Sequence, residues 1–98
     1  ECVPMLENRD EINQLMIEFT GRNPDLVRSQ ASRPSTRVRM LLTREGEVAY
    51  SLVDASSGHR TMDLYALELT RRMRFRPASV NGQTVDLWIM LPLTMAAP

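Results

Sequence analysis

Lysine is absent from this chain, and cysteine, histidine and tryptophan occur once each. All twelve basic residues are therefore arginines, and twelve acidic residues balance them. Formal neutrality removes the positive field that phosphate binding needs, so no nucleic-acid partner is expected. Cys2 stands alone, which excludes an internal disulfide and any cysteine pair with metal-ligand spacing. Its position fits a lipid-bearing residue left by signal cleavage or, as the favoured reading, an incidental thiol at a frayed terminus. No apolar run approaches the ~18 residues that a membrane helix requires. No signal peptide is recognisable, and the abrupt start fits a mature or trimmed fragment. Gly-rich phosphate loops, paired carboxylates and thiol motifs are missing as well.

What is present is the composition of a folding chain. Ninety-eight residues, 43% apolar and 24% charged, support one domain with one modest core and argue against disorder. Residues 1–7 read as a tail and 8–98 as that domain, with an N-terminal helix and loop over 8–36 and a β-β-α-β core over 37–94. Asn8 precedes Glu11 by three residues, the spacing of a reciprocal capping box, and Ile12, Leu15, Met16 and Phe19 follow on one stripe. Gly21 and Pro24 close a helix predicted over Arg9–Thr20. Asn23–Ser35 reads as loop, with room for a helical turn at Asp25–Gln30.

The next segment, Thr36–Thr43, alternates Val38, Met40 and Leu42 with Arg37, Arg39 and Leu41, which predicts a strand. Arg44-Glu45-Gly46-Glu47 reverses the chain, and Val48–Asp54 returns as its hairpin partner. A second helix is predicted over Thr61–Arg74, with Met62, Tyr65, Ala66, Leu69 and Met73 inward. Its acids precede its arginines, as the helix dipole favours. Asn81-Gly82 predicts a type I′ turn between an extended piece, Phe75–Val80, and a last strand, Thr84–Leu93. The fold class expected is α+β: a three-stranded antiparallel sheet with two helices packed on one face.

Chemistry-bearing residues are sparse. His59 follows Ser56 and Ser57, but adjacency does not create an aligned nucleophile, base and acid, and a turn role is favoured. No catalytic residue, metal site or cofactor site is expected. The arginines of Arg71–Arg76 sit where a helix C-terminus favours cations and read as a solvated helix end. The last strand is more telling. Val85, Leu87, Ile89 and Leu91 alternate with Asp86, Trp88 and Met90, so both faces are largely apolar, and Pro92 suits an edge or a strand end. Trp88, sharing a face with Tyr50 and Leu52, is either exposed or covered by the first helix or the long loop. An exposed aromatic on an unpaired strand suits β-augmentation, in which a peptide adds itself to the sheet.

From Val38 onward the chain resembles the C-terminal domain of TonB-family energy transducers. The likeness rests on Glu45-Gly46-Glu47-Val48, Ser56-Ser57-Gly58-His59, Met62-Asp63, Arg72-Met73-Arg74-Phe75-Arg76-Pro77-Ala78, Asn81-Gly82, Val85, Trp88 and Leu91-Pro92-Leu93, in that order over about sixty residues. The resemblance implies a non-catalytic periplasmic domain, anchored in the inner membrane, that carries energy from a proton-driven motor complex to outer-membrane transporters. It also implies that the transporter's TonB box, a short peptide segment, pairs alongside the last strand, at Val85, Asp86, Leu87, Trp88, Ile89, Met90 and Leu91. The rival expectation is a homodimer formed through the same edge. This chain departs from the family in having Asn23-Pro24 where Tyr-Pro is common and Met73 where Trp is common. The usual final Phe is replaced around Met95.

Overall fold

The computed structural model describes residues 4–25 and 35–94. Their elements run β1 (Met5–Leu6), α1 (Arg9–Arg22), β2 (Ser35–Leu42), β3 (Val48–Ala55), α2 (Arg60–Arg71), β4 (Phe75–Arg76), β5 (Ala78–Val80), β6 (Gln83–Val85) and β7 (Leu87–Thr94). The α+β architecture expected from the sequence is present: an antiparallel sheet in the order β3-β2-β7, with both helices on one face. Cys2, the helical turn expected at Asp25–Gln30 beyond its first residue, and the tail from Met95 lie outside the described residues.

Alternation in β2 decides which face the helices cover. Thr36, Val38, Met40 and Leu42 are buried, whereas Arg37 and Arg39 are exposed. Val38, Met40 and Leu42 pack with Ile12 of α1, Ala66 and Leu69 of α2, Met73, Phe75 and Leu93 in one apolar cluster. The two helices also hold each other. Phe19 stacks on Tyr65 with ring centroids 3.8 Å apart and planes 9° from parallel, and the Tyr65 hydroxyl donates to the Leu15 carbonyl. Burial pushes the Tyr65 phenol above its usual range, with Glu18 adding to that and Arg22 and Arg72 opposing it.

Several local expectations are revised. Asn8 precedes α1 as expected, but its side chain caps no helix N–H. Its Nδ2 donates instead to the Arg72 carbonyl at 2.7 Å and to Glu11 Oε1 at 3.1 Å, while its Oδ1 accepts from the Arg74 N–H at 2.9 Å. The amide thus ties the start of α1 to the chain leaving α2. Beside it, Met5–Leu6, read from sequence as tail, pairs with β4. Gly21 stays within α1, which ends at Arg22 with Asn23 as its C-cap; the Asn23 N–H donates to the Thr20 carbonyl and its Nδ2 to the Phe19 carbonyl. Helix α2 stops at Arg71, three residues short of the prediction, because Arg74 pairs instead with Glu47 of the β2–β3 turn.

The last predicted strand is two strands. Asn81 and Gly82 take φ of 53° and 80°, as a type I′ turn needs, and close a small β5–β6 hairpin. Asp86 then breaks the run before β7 pairs with β2. Periodicity could not reveal this break, since alternation continues across it.

Candidate functional site

The site begins with an edge. β2 is central, so β3 and β7 are the two lateral strands of the sheet. They differ in regularity. β3 shifts register against β2 at both ends, between Arg37 and Val38 and between Leu41 and Leu42. Such bulges twist an edge away from further pairing. β7 instead keeps an unbroken register over its full length, from Leu87 opposite Leu42 to Thr94 opposite Ser35. Among the described residues no strand pairs with its outer side.

Backbone direction along β7 follows from one hydrogen bond. The Thr43 N–H donates to the Glu47 carbonyl at 2.8 Å, toward β3. Alternation then turns Leu41, Arg39 and Arg37 toward β3, and Leu42, Met40 and Val38 toward β7. Their β7 partners Leu87, Ile89 and Leu91 face β2, which leaves the N–H and C=O groups of Trp88 and Met90 pointing outward. Pro92 has the same parity, so the donor that it lacks is one that β2 does not need.

The same parity sends the side chains of Trp88 and Met90 to the helix-free face. They are 52% and 47% exposed, and Tyr50 and Leu52 of β3 join them at 67% and 44%. Neither α1 nor any other described residue covers Trp88; residues 26–34 of the long loop lie outside the described residues. The register builds cross-strand rows there, Tyr50–Leu41–Trp88 and Leu52–Arg39–Met90. A groove of about 380 Å³ is lined by Arg39, Leu52, Trp88, Ile89 and Met90.

The seven residues expected to form the peptide edge are thus divided. Leu87, Trp88, Ile89, Met90 and Leu91 lie on β7. Val85 belongs to β6 and pairs with Ala78. Asp86 turns to the β2–β3 reversal, where its Oδ1 accepts from the Arg44 N–H at 3.0 Å and lies 3.7 Å from Arg44 Nε. Arg39, which lines the groove, had no signal beyond its place on the wet face of an alternating strand.

The other chemistry-bearing residues have structural partners. Asp63, in the first turn of α2, accepts from the hydroxyl of Ser56, the N–H of Ser57 at 2.9 Å, and the hydroxyls of Thr36 and Ser57, each at 2.8 Å. Burial would raise its pKa, but these donors outweigh it and bring it from 3.8 to about 2. Ser56 and Ser57 thus fix the start of α2 through Asp63. The arginine cluster is a salted surface: Arg71 and Arg72 face Glu68 at 3.7 and 3.4 Å, and Arg74 faces Glu47 at 3.8 Å. Among the described residues no group of three or more His, Cys, Asp or Glu is placed to hold a metal, and no helix is long and apolar enough to cross a membrane.

Comparison with known proteins gives one match. No curated protein and no solved structure matches the chain significantly. The family model described as the Gram-negative bacterial TonB protein C-terminal matches residues 24–94, which takes in the whole β3-β2-β7 sheet and α2. This chain therefore belongs to the TonB C-terminal domain family.

Proposed function

We propose that this domain is the periplasmic peptide-binding part of a TonB-like energy transducer, and that it grips the TonB box of an outer-membrane transporter by strand addition along β7. Domains of its family are periplasmic, non-catalytic interaction modules of Gram-negative bacteria that work with outer-membrane transporters. On this reading the inner-membrane motor complex acts through a segment N-terminal to the domain.

The observation that carries the reading is the coincidence on β7. The residues whose backbone groups point outward, Trp88 and Met90, also present exposed side chains on the open face. Backbone bonding would give grip, and alternate side chains selectivity. Each bond contributes ~0.5–1.5 kcal/mol net, so affinity would be modest. Pulling along the strand loads those bonds together, which suits a part that must hold against force and then let go.

Titrating the isotope-labelled domain with N-terminal peptides of candidate transporters tests this by NMR. Shifts should concentrate on the Trp88 and Met90 amides, and those amides should gain protection from hydrogen exchange. Silence across Leu87–Leu91 with every such peptide would sink the proposal.

A further inference from the structure

The charges of the open face do not cancel. Asp54 accepts from Arg37 Nε at 2.8 Å and from Arg39 Nη2 at 3.0 Å, so one carboxylate serves two guanidiniums. Among the described residues no second carboxylate lies within ion-pair distance of either arginine. The row keeps one net positive charge. Arg39 is the cation beside the groove: it stands opposite Met90 in register, and its side chain is 48% exposed. Arg37 holds Asp54 independently, so Arg39 can turn toward a new anion without leaving that carboxylate unpaired.

A strand added to β7 would lie about 4.8 Å beyond it, and so about 10 Å from β2. Peptide residues opposite Trp88 and Met90 would place their side chains on the open face beside these two. A glutamate there can lay its methylenes against Trp88 and Met90 and extend its carboxylate over β7 to meet the Arg39 guanidinium. Glutamine makes the same apolar contact without the charge. Aspartate is one methylene shorter.

We infer that this groove selects, among peptides that add to β7, those carrying a glutamate on the open-face side, with Arg39 as its counter-ion. The inference rests on the strand-addition reading and specifies the partner that reading leaves general. Favourable contact between exposed charges is small, so the discrimination is a matter of a few-fold.

The test uses two blocked pentapeptides, Thr-Val-Glu-Val-Thr and its glutamine analogue, titrated by NMR into the full chain. Both should shift the Trp88 and Met90 amides, and the glutamate peptide should bind about five-fold more tightly at low salt. That ratio should fall toward one in Arg39→Gln, persist in Arg39→Lys, and grow in Asp54→Asn, where neither arginine is neutralised. Equal affinities in the unsubstituted domain, with the amide shifts present, would overturn the selectivity and leave strand addition standing. A preference undiminished in Arg39→Gln would overturn the role of Arg39. Absence of shifts at Trp88 and Met90 with both peptides would remove both proposals together.

Discussion

Two residues bear local loads that their neighbours in sequence do not suggest. Asp63 collects donors from Thr36 of β2 and from Ser56 and Ser57 before α2, and so joins sheet, loop and helix. Its carboxyl titrates near 2 when folded against 3.8 unperturbed, so the folded state prefers the ionised form. The associated stability is present in full above about pH 4 and is lost as pH falls through about 2. Because solvent reaches this group, the contribution is on the order of 1 kcal/mol. Asp63→Asn should therefore lower stability by about that much at pH 7 and flatten the acid limb below pH 4, as urea melts at both pH values would register. Gly46 carries a different load. At φ 85° its backbone passes so close to Phe75 that an added Cβ would lie 1.9 Å from the Phe75 carbonyl oxygen. Its own carbonyl accepts from the Phe75 N–H at 2.8 Å. An alanine there must break that contact and lift the buried Phe75 from the core. A loss of at least about 3 kcal/mol is expected for Gly46→Ala. Gly82→Ala, at φ 80° but facing open space, should cost only about 1 kcal/mol. Thermal melts of the two variants separate clash from backbone preference.

At the scale of elements, β7 sets a sharper test, because its two parities should respond oppositely to proline. Met90→Pro removes an N–H that points away from β2, whereas Ile89→Pro removes one that points toward it. The first should leave stability within about 1 kcal/mol and abolish peptide binding; the second should cost about 3 kcal/mol or more and unfold much of the domain. Equal damage from both would contradict the parity assigned here. The strands and helices themselves were legible in the sequence because burial is one-sided: Val38, Met40 and Leu42 alternate, and Met62, Ala66 and Leu69 recur at helical spacing. Asn81-Gly82 was equally plain, since few dipeptides accept positive φ twice. What stayed hidden was decided by distant partners. Asn8 has the spacing of a local cap, yet Arg72 and Arg74 are the ones that use its amide across the domain. Asp86 looks like one more polar residue of an alternating strand until Arg44 is brought beside it. The candidate site was half legible. Trp88 and Met90 were named from alternation, but Arg39 joins them only through strand order, which periodicity does not encode.

At the scale of the whole molecule, the described residues protect one flank of the sheet and leave the other open. β3 ends in bulges and α2 packs against it, while β7 offers a regular outer side next to an exposed apolar face. An edge of this kind invites pairing by any extended chain, including a second copy. Pro92 limits how far such pairing can run, because beyond Met90 the next outward position has a carbonyl but no donor. About four or five backbone bonds at ~1 kcal/mol each correspond to dissociation constants near the millimolar range. Self-association through β7 should therefore be weak and reversible, leaving the edge available to a peptide at ordinary concentrations. Sedimentation equilibrium from about 10 μM to about 1 mM should show monomer at the low end and partial dimer at the high end. Met90→Pro should abolish the dimer, and a bound peptide should displace it. A dimer that stays intact at the low end, or that survives Met90→Pro, would mean that the edge is committed to assembly and that peptide capture must use another surface.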